Sequence, residues 1–373
     1  MNKIFMKIIL FYYVLTSPLR EKRESRYKKF LIIDTLRIGD VVMSTPLFKA
    51  IKEKYPDSLL HVLVRAEITE LLDGNPYIDK IIPYHGKEKT TLKLIKLLRE
   101  EKYDVSINLC EGKLNALVYA ASIPVRIGYS QRHKYRDKIF LTKIVQEPET
   151  FQGIPLLFLE LLKPLGISKA NSHPKLYLEP MDIERFKTLL QNGQRLKIVV
   201  HPGGRSITRR WPYYQDVIKE IIKHPDVLLI VTGHRSEAML VENILSGIDA
   251  KNIINLVGKT TIREMATLCF IADLVLSNDT GVSHIARALG RPVITIFGPE
   301  SHMLYGEFME NEKRISLEVP CRNDNIFFGL KFKDVRRCKK ENCDSLICMK
   351  KITPDIVIDS IKNFLDRMAT TYS

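Results

Sequence analysis

Apolar residues along this chain fall in short runs separated by amphipathic stretches, and the alternation starts at Phe30. FLIID (30 to 34) reads as a short buried strand, TLRIGD as a turn, and VVMSTPLFKAIKEKYP as an amphipathic helix with Pro46 inside its early turns and a stop at Pro56. LLHVLV (59 to 64) gives the next strand, EITELLDGN a short helix ending at Gly74, and IDKIIPY a third strand-like run. A basic amphipathic helix over 88 to 102 leads to YDVSINL (103 to 109), a further buried strand, and after a short helix VRIGY (125 to 129) reads as another.

The pattern changes between 147 and 180, where Pro148, Pro155, Pro164, Pro174 and Pro180 surround the apolar helix PLLFLELLKPLG. Such a segment connects domains. The alternation then restarts with KIVVHPGG (197 to 204), a helix from Pro212, VLLIVTG (227 to 233), a helix from Ser236, INLVG, and the helix TIREMATLCFIA. Residues 273 to 300 are the most legible stretch: Leu274 to Leu276 form a strand, Ser277 to Gly281 a polar turn, then a helix runs to Leu289, Gly290 stops it, and Pro292 to Phe297 form a second strand. That order is a right-handed βαβ unit. Residues 301 to 350 read as loop-rich, and Pro354 opens a terminal helix.

Strands alternating with helices in both halves predict an α/β protein with two doubly wound, Rossmann-like domains. The expected boundaries are a leader over 1–27, a first domain over 28–175, a second over 176–353, and a C-terminal helix over 354–373 that is a candidate to cross back to the first domain. Two such domains facing each other would leave a cleft between their strand ends.

Composition adds a preference for partners. The 373 residues are 45% hydrophobic and 27% charged, as in a globular protein rather than a disordered one. Fifty-eight Lys and Arg against 43 Asp and Glu give a formal charge of +15, which suits polyanions such as phosphorylated substrates or an anionic membrane leaflet. Neither zinc-finger spacing nor an RNP-type motif points to nucleic acid. Residues 4 to 15, IFMKIILFYYVL, are too short to span a membrane, and the basic run PLREKRESRYKK that follows has no small-residue cleavage site. Together they are a candidate membrane-surface arm, or a packing arm of the domain behind them. Cys338, Cys343 and Cys348 form CxxxxCxxxxC, a spacing without a CxxC knuckle, so structural thiols compete with a metal site there.

Candidate chemistry sits in loops at predicted strand ends. In RIGDVVMSTP, Gly39 permits close backbone approach and Asp40 stands at a helix start, either as a cap or as a carboxylate that takes a proton from an incoming hydroxyl. Arg37 supplies nearby positive charge to keep that carboxylate ionised. HPGGRSITRRWP offers Gly203, Gly204, Ser206 and Thr208 as donors to phosphate and Arg209 and Arg210 as cations. VTGHRSE places Gly233 and Glu237 where an acid can hold ribose hydroxyls, and LVGKTTIREM places Gly258 and Lys259 where a base or ribose could lie. In SNDTGVSH, Asp279, Thr280, Gly281 and His284 surround a helix start; Asp279 or Thr280 is a candidate cap. GxSxG, HExxH, Walker A and GxGxxG are all absent from the sequence.

IGDVVMSTP, HPGG with RRWP, and SNDTGVSHIARALGRPVITIFGP, in that order, resemble glycosyltransferase family 9, the ADP-heptose:lipopolysaccharide heptosyltransferases, over roughly residues 28 to 365. The resemblance implies the GT-B architecture and an inverting transfer of heptose from ADP-heptose to a lipopolysaccharide-type acceptor. It implies Asp40 as general base, Arg209 on the donor diphosphate, the loop of Asp279, Thr280, Gly281 and His284 around the donor, and Glu237 on the ribose. It further implies no required cofactor, since no DxD metal motif is present; the basic surface and the leader would suit docking to an anionic glycolipid acceptor at the cytoplasmic face of a bacterial inner membrane. After Pro320 the chain has Cys321-Arg322-Asn323-Asp324 where many members have CxxC. The alternatives are another GT-B enzyme with a different sugar nucleotide, a sugar-nucleotide epimerase, and a non-catalytic polyanion-binding protein.

Overall fold

The computed structural model describes residues 27–372 except 87, 111–112, 130–137, 147, 149, 191–195, 249–250, 307–308, 328–329, 333–335, 339 and 341–342. Of the expected leader only Tyr27 is therefore described; it is buried and stands edge-on to Phe30, ring centroids 6.2 Å apart. The chain divides into two compact units. One runs to Pro174 and takes back the segment Ile326–Asp334; the other comprises Lys175–Asn325 and the chain from Val335 onward.

The first unit is a six-stranded parallel sheet in the order β3-β2-β1-β4-β5-β6, made of β1 (Lys29–Asp34), β2 (Leu59–Arg65), β3 (Lys80–Tyr84), β4 (Val105–Asn108), β5 (Val125–Tyr129) and β6 (Lys143–Val145). This is the Rossmann strand order. Strands covered on both faces read as continuous apolar runs, and β1 is one, with Phe30 to Ile33 fully buried. Leu31 and Ile33 share one core face with Leu63 and Ile82, covered by Ile95 and Leu98 of α2 (Glu88–Glu100) and Leu117 and Val118 of α3 (Lys113–Ala120). Each such side chain withdrawn from water contributes about 1.5–3 kcal/mol before entropy is counted.

Between β1 and β2 runs α1 (Ile38–Lys54), which packs against α4 (Ile154–Glu160). Pro46 lies inside α1 and cannot donate to the carbonyl of Val42. The Thr45 hydroxyl donates to that carbonyl instead, at 2.8 Å, so the helix continues with its acceptor satisfied.

The second unit repeats the plan. Its parallel sheet has the order β12-β11-β10-β7-β8-β9, with β7 (Leu196–His201), β8 (Val227–Val231), β9 (Ile253–Asn255), β10 (Leu274–Asn278), β11 (Val293–Phe297) and β12 (Glu312–Ser316). Counted from its own first strand, that is again the Rossmann order. Helices α5 (Pro180–Leu189), α6 (Tyr214–Ile221), α7 (Ala238–Leu245), α8 (Ile262–Ile271), α9 (Gly281–Ala288) and α10 (Pro354–Tyr372) complete it. In α10, Val357, Ile361 and Phe364 recur at helical spacing and pack into this unit's core with Tyr214, Val217 and Ile221 of α6.

Among the elements that form where the hydrophobic pattern predicts none are β6, α5 and β12. β12 reads EKRIS, and its Arg314 is buried because Glu312, two residues back on the same face, accepts from Arg314 Nε at 2.6 Å and from Nη2 at 2.8 Å. A paired arginine thus takes a position that an apolar residue would normally advertise.

Candidate active site

In an open sheet of this order the chain reverses direction between its first and fourth strands, and ligands bind beyond the carboxyl ends there. In the second unit those strands are β7 and β10, paired in parallel through Ser277 and His201. The HPGG loop leaves β7 and the Asn278-Asp279 turn leaves β10, so two of the predicted loops meet at the reversal point. Asn278 ties them together. Its side-chain amide donates to the carbonyls of Pro202 (2.9 Å) and Gly203 (2.8 Å), and its side-chain oxygen accepts from the Trp211 N–H (3.2 Å) and the Tyr214 hydroxyl (3.1 Å). Asn278 is fully buried and uses both donors and both lone pairs on protein. Trp211, also buried, donates its indole N–H to Ile352 O at 2.8 Å, which fixes the start of α6.

Arg209 reaches the same place from the short 3₁₀ turn Ile207–Arg209. Its Nη1 donates to Asp279 Oδ2 at 3.1 Å and its Nη2 to Glu300 Oε1 at 2.6 Å. Asp279 is buried, which by itself would push its carboxyl up; contact with His284, the charge of Arg209 and the Tyr305 hydroxyl outweigh that and hold it below the usual carboxylate range. His284 Nε2 stands 3.4 Å from Asp279 Oδ1, an ion-pair distance, and its ring lies against Tyr305 with centroids 4.1 Å apart. Tyr305 is held in turn by Arg287, which donates to its carbonyl and sits 3.5 Å from Glu312.

The predicted helix cap is not made. Thr280 occupies the N-cap position of α9 in extended conformation, yet its side chain accepts no bond from the helix; the hydroxyl pairs with Ser277 Oγ at 3.0 Å, and Asp279 faces Arg209 instead. Gly281 is the first helical residue, so the amino end of α9 keeps N–H groups for another acceptor. A Cβ built on Gly204 would lie 3.7 Å from Thr280 Cγ2 and 3.8 Å from Arg209 Cβ, which places the glycine loop, the helix start and the cation side by side. Ser206 is turned inward along its own loop, 2.7 Å from the Thr208 hydroxyl.

Glu237 does more locally than its predicted ribose contact required. It is buried, and its carboxylate accepts from Gly204 N at 2.7 Å and His234 N at 2.8 Å, joining the loops after β7 and β8. A Cβ on Gly203 would fall 2.2 Å from Glu237 Oε2, so only glycine fits there. Gly258, with φ +68°, brings the loop after β9 alongside by donating to Gly233 O at 2.9 Å. Lys259 turns back to Asn255 O at 3.0 Å, and Thr261 caps α8 in a reciprocal box with Glu264.

In the first unit the corresponding reversal point lies between β1 and β4. Asp40 is in the first turn of α1, half-buried, and its Oδ2 accepts from the backbone N–H of Arg37 at 3.2 Å; Arg37 is exposed and Gly39 half-buried. The capping and proton-accepting readings are thus compatible, since a carboxylate has more lone pairs than a single cap uses. At the end of β1 stands a second acid that the pattern did not single out. Asp34 is fully buried, accepts from Leu36 N at 3.2 Å, and has its carboxyl pushed up to about 7, by burial first and by the charge of Asp40 as well. Cys110 closes this end of the sheet, its thiol accepting from Thr35 N at 3.0 Å.

The C-terminal cysteines are not gathered as ligands. Cys348 is buried in the second unit's core, Cys343 lies near Ser345, and Cys338 is partly exposed; among the described residues no group of three or more His, Cys, Asp or Glu is placed to hold a metal ion. No helix among the described residues is long and apolar enough to cross a membrane.

Two Rossmann-ordered units, one with glycine loops, an arginine and a helix start at its reversal point, make up the GT-B fold. A sequence model of glycosyltransferase family 9 (heptosyltransferase) matches residues 91–325, and the chain belongs to that family. It is 28% identical over 287 residues to lipopolysaccharide heptosyltransferase 3 of Escherichia coli strain K12, covering 73% of this chain and 83% of the relative. It is 27% identical over 293 residues to lipopolysaccharide heptosyltransferase 2 of the same strain, covering 73% and 83%. In fold it is similar to the solved ADP-heptose lipopolysaccharide heptosyltransferase II of E. coli, with a TM-score of 0.74 at 22% identity over 91% of this chain and 99% of that one.

Proposed function

We propose that the chain transfers heptose from ADP-heptose to a lipopolysaccharide-type acceptor with inversion at the anomeric carbon. The observation that carries this reading is the grouping of Arg209, the two loop glycines and the uncapped amino end of α9 at one reversal point. The names of its relatives support heptose as the sugar and lipopolysaccharide as the acceptor class.

In this reading Asp40 takes the proton from the attacking acceptor hydroxyl. The oxygen bonds to the anomeric carbon as the bond from that carbon to the diphosphate oxygen breaks. The electron pair leaves on ADP, where Arg209 and the α9 N–H groups meet the developing charge. These groups are offered to the leaving diphosphate without a cofactor. Gly204 lets the backbone approach the phosphates, Gly203 makes room for Glu237, and the loops after β8 and β9, braced by Glu237, take the nucleoside. The excess of basic residues suits an anionic glycolipid rather than nucleic acid, with the chain working in the cytoplasm at the inner face of the membrane.

The test is transfer by the purified chain to heptose-deficient lipopolysaccharide, with ADP-heptose set beside UDP- and GDP-sugars and the product identified by mass. Turnover confined to the ADP donor is expected. A preference for a UDP-sugar would overturn the donor assignment.

A further inference from the structure

Arg209 presents two terminal nitrogens, and both are engaged by carboxylates, Nη1 by Asp279 and Nη2 by Glu300. The two acids are not equivalent. Asp279 follows β10 directly, is 2% exposed, and is also held by His284 and Tyr305. Glu300 begins the loop after β11, and around its Oε1 stand two arginines, Arg209 at 2.6 Å and Arg337 at 4.0 Å. Arg337 is stationed there independently of Glu300: its Nε donates to Asp324 Oδ2 at 3.0 Å, and the two residues also bridge through their backbones. Asp279 and Glu300 thus flank Arg209 with two carboxylates, so it does not meet a diphosphate as an unneutralised cation.

We infer that Glu300 is a resident counter-anion of Arg209 that yields to the diphosphate by swinging toward Arg337, and that it weakens the nucleoside diphosphate product more than the sugar-nucleotide donor. This rests on the reading that Arg209 faces the donor diphosphate. The asymmetry follows from charge. Cleaving the sugar–phosphate bond leaves a terminal phosphate with one more ionisable oxygen, so repulsion from a carboxylate a few ångströms away acts harder on product than on donor. Glu300 would thereby limit product inhibition.

Glu300→Gln keeps the shape and leaves Arg209 paired with Asp279 and Arg337 with Asp324, so neither half-buried arginine loses its last carboxylate. Calorimetric titration with ADP and with adenosine, beside inhibition of transfer by ADP, reads the effect. The variant should bind ADP about tenfold tighter, show an inhibition constant lower by the same factor, and bind adenosine as wild type does. Glu300→Ser, which removes the charge without the amide, should reproduce the gain. ADP binding that is unchanged or weaker in both variants overturns the inference and makes Glu300 a support for Arg209. Arg209→Gln separates the underlying reading: if it leaves ADP affinity untouched, or if wild type binds no ADP, the donor site itself is misassigned and the inference falls with it.

Discussion

Asn278 holds Gly203 in place: its amide donates to the Gly203 carbonyl at 2.8 Å while its oxygen takes the Trp211 N–H at 3.2 Å. One buried side chain thereby sets the distance between the glycine loop and the segment that carries Arg209. Asn278→Ala removes four bonds and strands two backbone carbonyls and an N–H in the interior. At about 1 kcal/mol each, the loss should be about 2–4 kcal/mol in urea denaturation, with at least a tenfold weaker ADP affinity. A variant of unaltered stability would show that this network is not what fixes the loop.

The two loop glycines should respond differently to the same substitution. Gly203→Ala drives a methyl to 2.2 Å from the Glu237 carboxylate, which is itself pinned by Gly204 N and His234 N. Gly204→Ala meets nothing closer than 3.7 Å. The first variant should lose stability by about 1–3 kcal/mol and most of its ADP binding; the second should fold like wild type. Thermal melts of the pair, run side by side, decide it.

Asp40→Asn keeps the contact with Arg37 N sterically but replaces the proton acceptor with an amide. Turnover should fall by about 10²–10⁴-fold while ADP affinity stays within about twofold. Near-wild-type turnover would remove Asp40 as the base.

Asp34 gives a pH signature. Its folded carboxyl titrates at about 7, whereas an unfolded aspartate titrates at about 3.9. Between those values the folded chain retains a proton that the unfolded chain has released, so this residue lowers stability as pH rises and its full cost is present above about 7. Asp34→Asn should therefore stabilise the protein by about 1.5 kcal/mol at pH 5 and about 4 kcal/mol at pH 8. An advantage that does not grow across this range would mean that the charge of Asp34 is not its source.

The sheets were legible in the sequence because buried parallel strands have to be apolar on both faces, and Phe30 to Ile33 or Leu274 to Leu276 leave little room for another reading. Edge strands escape that rule. β12 hides an Arg–Glu pair in the interior, and such pairing depends on geometry that a residue pattern does not carry. The candidate site divides the same way. Glycines and arginines clustered at strand ends announce themselves, so the loops around Gly203, Arg209, Asp279 and Asp40 could be named in advance. Asn278, inside SNDTGVSH, and Glu300, one residue past IFGP, carry no signal of a role, because what distinguishes them is the number of partners each reaches across the fold. Asp34 reads in the sequence as the polar end of FLIID; only its complete burial sets it apart.

The return of Ile326–Asp334 to the first unit bears on how the chain is made. Phe332 is almost wholly enclosed there, its ring 4.7 Å from that of Phe151. A ribosome emitting this protein releases the amino-terminal sheet long before Phe332, so part of that unit's apolar surface stays uncovered until most of the other has been synthesised. A fragment ending at Pro174 would emerge with Phe151 lacking the ring that meets it edge-on.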